Sequence, residues 1–295
     1  MGKASKAKRD GSSRQQRIAA QRAAARRTEI RNRVLIASGS VVVVIAIVLA
    51  FVLVKVNSHG SSGSSASGNG PTGTALATVV KNTTAVPAST LNSVGAGSVS
   101  TVPAKISGGS ALTSGGKPEM LYIGAEYCPY CAAERWGMVV ALSRFGTFKN
   151  LSTTHSASGD TFPNTATWTF YKSSYTSKYL NFTPVENETR THGALQATTT
   201  AHIELEERLA AWFGYPFIDF GNKFVITGPL YDPGVLAGLS WQQVSADLHN
   251  PSSPVAQGAL GAANFITASI CKMTNGQPGS VCTAKGVTTA AAHMG

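Results

Sequence analysis

Charged side chains are scarce. Asp, Glu, Lys and Arg together make up 13% of the 295 residues, about half the usual share. Acids are the rarer kind, 14 against 25 bases, for a formal net charge of +11. The excess is local. Residues 1–33 hold eleven Lys or Arg against Asp10 and Glu29, whereas the remainder holds 14 bases and 12 acids. A nearly neutral body excludes a basic nucleic-acid-binding domain. Cysteine is limited to four residues, too few for a disulfide-dense scaffold. The six histidines are scattered. His202 and Glu206 share a helix face and read as solvated surface. No Gly-rich phosphate loop, Ser nucleophile elbow or internal repeat is visible. Hydrophobic residues are not lacking: at 43% they supply a core and exclude global disorder.

Residues 34–54 form an uncharged run of 21, VLIASGSVVVVIAIVLAFVLV. As a helix rising about 1.5 Å per residue it spans roughly 30 Å, the thickness of a bilayer core. Arg31 and Arg33 bound it on one side and Lys55 on the other. The positive-inside rule puts the N-terminus in the cytoplasm and the larger part outside. A cleaved signal peptide has a shorter basic region and a 7–15-residue apolar core, and a buried core helix is rarely this long. The expectation is therefore an uncleaved single-pass anchor in the cell membrane, touching lipid through residues 34–54. The tail at 1–33 reads as a topology determinant, with anionic lipid or nucleic acid as its alternative partner. Residues 55–75 are Gly/Ser-rich and read as a flexible tether. An extracytoplasmic domain follows at 76–295, opening on a weakly apolar, helix-like segment.

The chemistry lies in MLYIGAEYCPYCAAERWGMVVALSRF, residues 120–145. Met120 to Gly124 has strand character. After Cys128-Pro129-Tyr130-Cys131, the residues Ala132, Ala133, Trp136, Val139, Val140, Leu142 and Phe145 recur at helical spacing. The motif thus sits where a strand ends and a helix begins. The first helical turn carries unpaired N–H groups and partial positive charge. A thiolate there is stabilised and nucleophilic near neutral pH. Cys128 is placed to attack a disulfide, and Cys131, on the same helix face, to resolve the mixed disulfide. Pro129 suits the first turn. Glu134 and Arg135 read as surface charges.

Strand, Cys-x-x-Cys, helix resembles the thioredoxin-fold redox signature, and Cys-Pro-Tyr-Cys is the tetrapeptide of glutaredoxins. GAEYCPYCAAERW with the later ALSRFG is similar to a prokaryotic family of membrane-anchored thioredoxin-like proteins catalogued as a domain of unknown function (DUF929). The resemblance runs from about Val79 to Cys282. It implies an α/β fold: a thioredoxin-like domain with an inserted β-rich segment and a C-terminal helix, preceded by one transmembrane helix. It also implies a cis-proline opposite the motif, and Pro216 fits, since an apolar strand begins there, turns at Gly221-Asn222 and returns from Lys223 to Ile226. Beside Cys128 the Tyr215 backbone would pair with an extended substrate, and Pro216 would keep metal off the thiols. Tyr130 and Pro129 would face substrate. At the position of the buried thioredoxin aspartate this chain has Tyr122. Cys131 then needs another proton acceptor, Glu126 or water.

The remaining pattern fits βαβ…ββα. Residues 148–156 read as the second strand, 167–185 as an inserted hairpin, 194–213 and 240–249 as helices, the latter capped by Ser240. An apolar helix at 263–273 ends at Cys271, and a Gly/Pro loop leads to Cys282. That pair reads as a structural disulfide worth roughly 2–3 kcal/mol at best. A second redox pair and a four-cysteine zinc site are the alternatives, the spacing being unlike a zinc knuckle. Asn82, Asn150, Asn181 and Asn187 open Asn-x-Ser/Thr sequences compatible with exposed loops.

The expected function is a membrane-anchored thiol–disulfide oxidoreductase with no bound cofactor and no metal. Its partners would be protein thiols and disulfides, and a redox partner that recycles the pair. The alternative is a thioredoxin-fold binding or assembly module whose cysteine pair is structural or regulatory. The direction of electron flow depends on the partner pool rather than on the motif alone.

Overall fold

The computed structural model describes residues 70–210 and 214–295. In chain order it contains α1 (Gly73–Thr84), α2 (Ala88–Val94), β1 (Ala104–Lys105), β2 (Thr113–Ser114), β3 (Lys117–Gly124) and α3 (Pro129–Leu142). Next come β4 (Gly146–Lys149), β5 (Ser152–His155), β6 (Ala166–Thr169), β7 (Ser174–Ser177), β8 (Asn181–Glu186) and α4 (Thr200–Leu209). The chain continues through β9 (Phe217–Phe220), β10 (Phe224–Thr227), a 3-10 turn (Pro233–Leu236), α5 (Trp241–Asp247), α6 (Pro254–Met273), α7 (Gly279–Cys282) and α8 (Lys285–Ala291).

The main sheet has the order β1-β10-β9-β3-β2, with β8 also on β3. β3 runs parallel to β8, pairing Gly124 with Glu186, and antiparallel to β9, pairing Ile123 with Phe217. A strand with neighbours on both edges and protein on both faces is apolar along its length, and every residue from Glu119 to Gly124 is buried. The pleat sends alternate side chains to opposite faces. Met120 and Tyr122 enter the main core with α3 and α6, whereas Leu121 and Ile123 meet Leu205 of α4, Phe217 and Val225. β9 returns as β10 through Gly221 and Asn222, both at positive φ, and the Asp219 side chain accepts the Asn222 N–H at 2.6 Å.

α6 is the longest described helix, at 20 residues. Ser253 caps it, its hydroxyl accepting the Ala256 N–H at 3.0 Å, with Pro254 in the first turn. Small residues let it approach α3 closely: a Cβ on Gly137 would lie 3.1 Å from Ala259 O and 3.2 Å from Ala262 Cβ. Asn264 of α6 donates to Leu91 O and Gly95 O at the end of α2, at 2.9 and 2.8 Å. Thr267 and Ser269 donate to the backbone of their own helix.

The expected membrane helix and cell-membrane placement need correction. Among the described residues no helix is long and apolar enough to cross a membrane. Even α6 has its apolar side chains packed inside the protein core. The run at 34–54 lies outside the described residues, as do the tail at 1–33 and most of the linker.

The insertion is also displaced from its expected bounds. β4 pairs with β7 and β5 with β6, so residues 146–177 form one antiparallel ribbon between α3 and β8. The run at 148–156 is therefore not the second strand of the main sheet. That strand is β8, which lies inside the segment read as the inserted hairpin. β7 and β8 have the same Thr- and aromatic-rich texture, and Lys178-Tyr179-Leu180 between them carries no turn signal. α4 begins at Thr200, capped by Thr199, later than the expected 194. α1 starts at Gly73, inside the expected linker. Ser240 caps α5 through a capping box with Gln243.

Three residues read as solvated are not. Glu134 and Arg135 are fully buried. Glu134 accepts the Leu230 N–H on Oε2 at 3.1 Å, while its Oε1 has no partner. Burial pushes its carboxyl up to about 7. Glu206 is buried too, and His202 is nearly so, its Nε2 lying 3.8 Å from Glu119 on β3. The expectation failed because α4 lies on the sheet, so its polar face is shared with β3 rather than with water.

Two outcomes follow from this packing. The Cys271–Cys282 bond joins α6 to α7 with Cα atoms 5.7 Å apart and a sequence separation of 11. Replacing both by Ala should lower unfolding free energy by up to about 3 kcal/mol by chain-entropy reasoning, measured by denaturant titration. Glu134 holds its proton in the folded state to higher pH than in the unfolded chain. Folding stability should therefore fall as pH rises from the ordinary carboxyl range to about 7, by roughly 3 kcal/mol. Glu134→Gln should flatten that part of the stability–pH curve.

Candidate functional site

The last residue of β3 is Gly124, and α3 starts at Pro129. Between them Cys128 is the N-cap, with extended backbone, and its sulfur accepts the Cys131 N–H at 3.2 Å. The helix thereby caps itself with a sulfur where most helices use an oxygen. Cys128 is 5% exposed and Cys131 is closed off completely. Both are free thiols. A hydrogen bond from the Cys131 side chain pulls the Cys128 thiol below its ordinary range, against the upward push of burial. The Cys131 N–H and the Arg135 charge add to the lowering. Burial pushes the Cys131 thiol well up, and its bond to Cys128 adds to that. The two sulfurs are thus unequal: Cys128 ionises more readily, and the fully enclosed Cys131 keeps its proton.

A polar cluster lies beneath them that the sequence did not announce. Arg135 follows Cys131 by one helical turn and shares its face. Its Nε donates to Glu186 Oε1 at 2.9 Å and its Nη2 to Oε2 at 2.6 Å, with both side chains fully buried. Nη2 also donates to Ala125 O at 2.7 Å, tying the helix to the loop before the motif. The guanidinium sits over the Tyr122 ring, 5.8 Å from its centre. Tyr122 Oη donates to Glu186 Oε2 at 3.5 Å. Burial pushes the Glu186 carboxyl above the usual carboxylate range, and Arg135 opposes that push without cancelling it. Burial also raises the Tyr122 hydroxyl well above its ordinary value. One sequence signal could have found Arg135, its i, i+4 spacing from Cys131; no local signal marks Glu186.

The other expected site residues are placed as follows. The Tyr215–Pro216 peptide is cis. Tyr215 O lies 3.9 Å from Cys128 Sγ, which donates to it. Tyr215 Oη accepts from Asn187 Nδ2 at 2.7 Å, and Asn187 Oδ1 accepts from Thr198. Tyr130 is half-buried, edge-on to Phe162 of the ribbon's tip at 6.1 Å. Pro129 is buried in the first turn. The Glu126 N–H donates to Glu188 O at 2.9 Å, and no hydrogen bond joins its carboxylate to either cysteine. The structure thus brings Cys128, Cys131, Tyr215 and Pro216 together and leaves Glu126 aside.

Beside the motif a cavity of about 490 Å³ is lined by residues 157–161 and by Arg190, Thr191 and His192. Ala157 N–H donates to Tyr127 O at 2.8 Å, and the His192 ring packs on Tyr127 with centroids 4.1 Å apart. This wall therefore borders the residue next to Cys128. Cys271 and Cys282 are bonded to each other, so two of the sulfurs a four-cysteine zinc site requires are taken. Among the described residues no group of three or more His, Cys, Asp or Glu side chains is set to hold a metal ion.

No curated protein and no solved structure matches the chain. Residues 103–214 match the model of the family described as domain of unknown function (DUF929). The matched stretch, a little over a third of the chain, contains Cys128, Cys131, Arg135 and Glu186.

Proposed function

We propose that this protein is a thiol–disulfide oxidoreductase of thioredoxin-like design, working through Cys128 and Cys131. One observation carries the reading: the Cys128 sulfur is the N-cap of α3, 5% exposed, bonded by the Cys131 N–H and facing the Tyr215 carbonyl at 3.9 Å. A disulfide staple has no need of a low-pKa thiol at a helix start. The strand pattern, β3 between a parallel β8 and an antiparallel β9 that opens with Pro216, is the pattern a thioredoxin-like fold requires.

The chemistry balances without a bound cofactor. The Cys128 thiolate attacks one sulfur of a substrate disulfide, and the other substrate sulfur leaves as thiolate. Cys131 then loses its proton and attacks Cys128 Sγ, and the second substrate sulfur leaves. The substrate has gained two electrons and two protons, and Cys128–Cys131 has become a disulfide. The reverse sequence oxidises a substrate dithiol. A partner thiol or disulfide restores the pair. The Tyr215 carbonyl and the cis-Pro216 loop would hold an extended substrate chain against Cys128.

Acid-quenched thiol trapping tests this. Cys131→Ala should accumulate mixed disulfides through Cys128, and Cys128→Ser should accumulate none. If nothing is trapped and Cys128→Ser leaves the protein's cellular role intact, the cysteine pair is structural and the protein is a binding module. In vitro, alkylation of Cys128 by iodoacetamide should rise with pH as the thiolate forms. Its midpoint should fall below the roughly 8.5 of an ordinary thiol. Cys131→Ala should move that midpoint up, since the Cys131 hydrogen bond is the largest cause of the lowering.

A further inference from the structure

Resolution of the mixed disulfide requires Cys131 to give up a proton from a place closed to solvent. Its thiol is fully buried, and burial holds that proton on. Glu126, in the loop before the motif, makes no hydrogen bond to it. By the thioredoxin resemblance a buried acid would stand on β3 where this chain has Tyr122. Resting on the oxidoreductase reading above, we propose that Tyr122 relays the Cys131 proton to Glu186, and that Arg135 is the positioning residue that fixes Glu186 for this task.

Four observations converge on one point. A Cβ on Gly124 would clash with Tyr122 Oη and lie 2.9 Å from Cys131 Sγ, so hydroxyl and thiol flank the same small space. Only glycine leaves that space open. The hydroxyl donates onward to Glu186 Oε2 at 3.5 Å. Glu186 is held in one orientation by both guanidinium bonds and by the Phe170 N–H, which donates to Oε1 at 3.3 Å. Finally, the ion pair is fully buried yet incomplete, since Arg135 Nη1 has no partner. An apolar pair of similar volume would stabilise a core as well or better, so stability alone does not account for charges here.

The step balances. The Cys131 S–H proton passes to Tyr122 Oη as the tyrosine proton passes to Glu186 Oε2. The Cys131 thiolate attacks Cys128 Sγ, and the substrate sulfur departs as a thiolate that takes a proton from solvent. Glu186 returns its proton through Tyr122 to Cys131 when a partner next reduces the Cys128–Cys131 disulfide. The parallel register brings the acid to this spot: Glu186 pairs with Gly124, the last residue before the motif's loop. The acid comes from the neighbouring strand, and a tyrosine spans the gap.

The test uses the reduced protein and Ellman's reagent, whose two thionitrobenzoate releases report separately. The first follows attack by Cys128 and the second follows resolution by Cys131. Tyr122→Phe keeps the ring and the ion pair and removes only the hydroxyl. It should leave the first release within about twofold and slow the second at least tenfold at pH 7. The deficit should shrink as pH rises and hydroxide takes over proton removal. Glu186→Gln should slow the second release in the same pH-dependent way. If Glu186→Gln fails to fold with Arg135 unpaired, Tyr122→Phe decides alone. Glu134→Gln, a buried acid on the same helix outside this cluster, should leave both releases unchanged. A second release unaffected by Tyr122→Phe, or slowed equally at every pH, overturns the relay. Absence of both releases in the wild-type protein would instead overturn the oxidoreductase reading.

Discussion

The parallel pairing of β3 with β8 sets the geometry of everything around the cysteines. It ends with Gly124 beside Glu186, so the strand that leads into the motif and the strand that ends in an acid stop at the same level. α3 then leaves from that level with Cys128 at its cap and Cys131 and Arg135 on one inward face. A shift of one residue in the register would turn Glu186 to the other side of the sheet, away from Arg135 and Tyr122. The ion pair and the Tyr122–Glu186 hydrogen bond depend on that single alignment.

The site is costly in the sense that matters for a folded chain. Arg135, Glu186 and Glu134 are charged or titratable groups fully enclosed by protein, and burial of each is unfavourable unless partners answer it. Removing one member of such a pair typically costs about 3–5 kcal/mol, because the other is left unpaired. The surroundings that tolerate this are rigid: small residues let α3 and α6 pack closely, and Asn264 ties α6 to α2. The polar groups are thus held in fixed directions, a condition for moving a proton over short distances.

Much of this was legible and some was not. The strand at Met120–Gly124, the motif and the helix after it could be read from apolar spacing and Pro129, because those signals are local. The β9–β10 turn could be read from Gly221-Asn222 for the same reason. The second sheet strand was missed because β7 and β8 share a texture and only pairing distinguishes a ribbon strand from a core strand. Glu134 and Arg135 were misread because a charge following an active motif is usually solvated, and helix periodicity alone does not say how many faces of α3 are covered. α3 is covered on nearly all sides, by the sheet, by α6, by the ribbon and by the loop at Leu230, so even its charges lie inside.

The sequence by itself determined where the thiols sit and why one of them ionises easily, since a strand-to-helix junction with a proline in the first turn is written in consecutive residues. It also contained the spacing that puts Arg135 behind Cys131. Which acid meets that arginine, 51 residues further along, was decided only in the tertiary structure. Parallel pairing joins segments that share no local signal, and the energy of a buried charge depends on partners that the chain supplies from elsewhere.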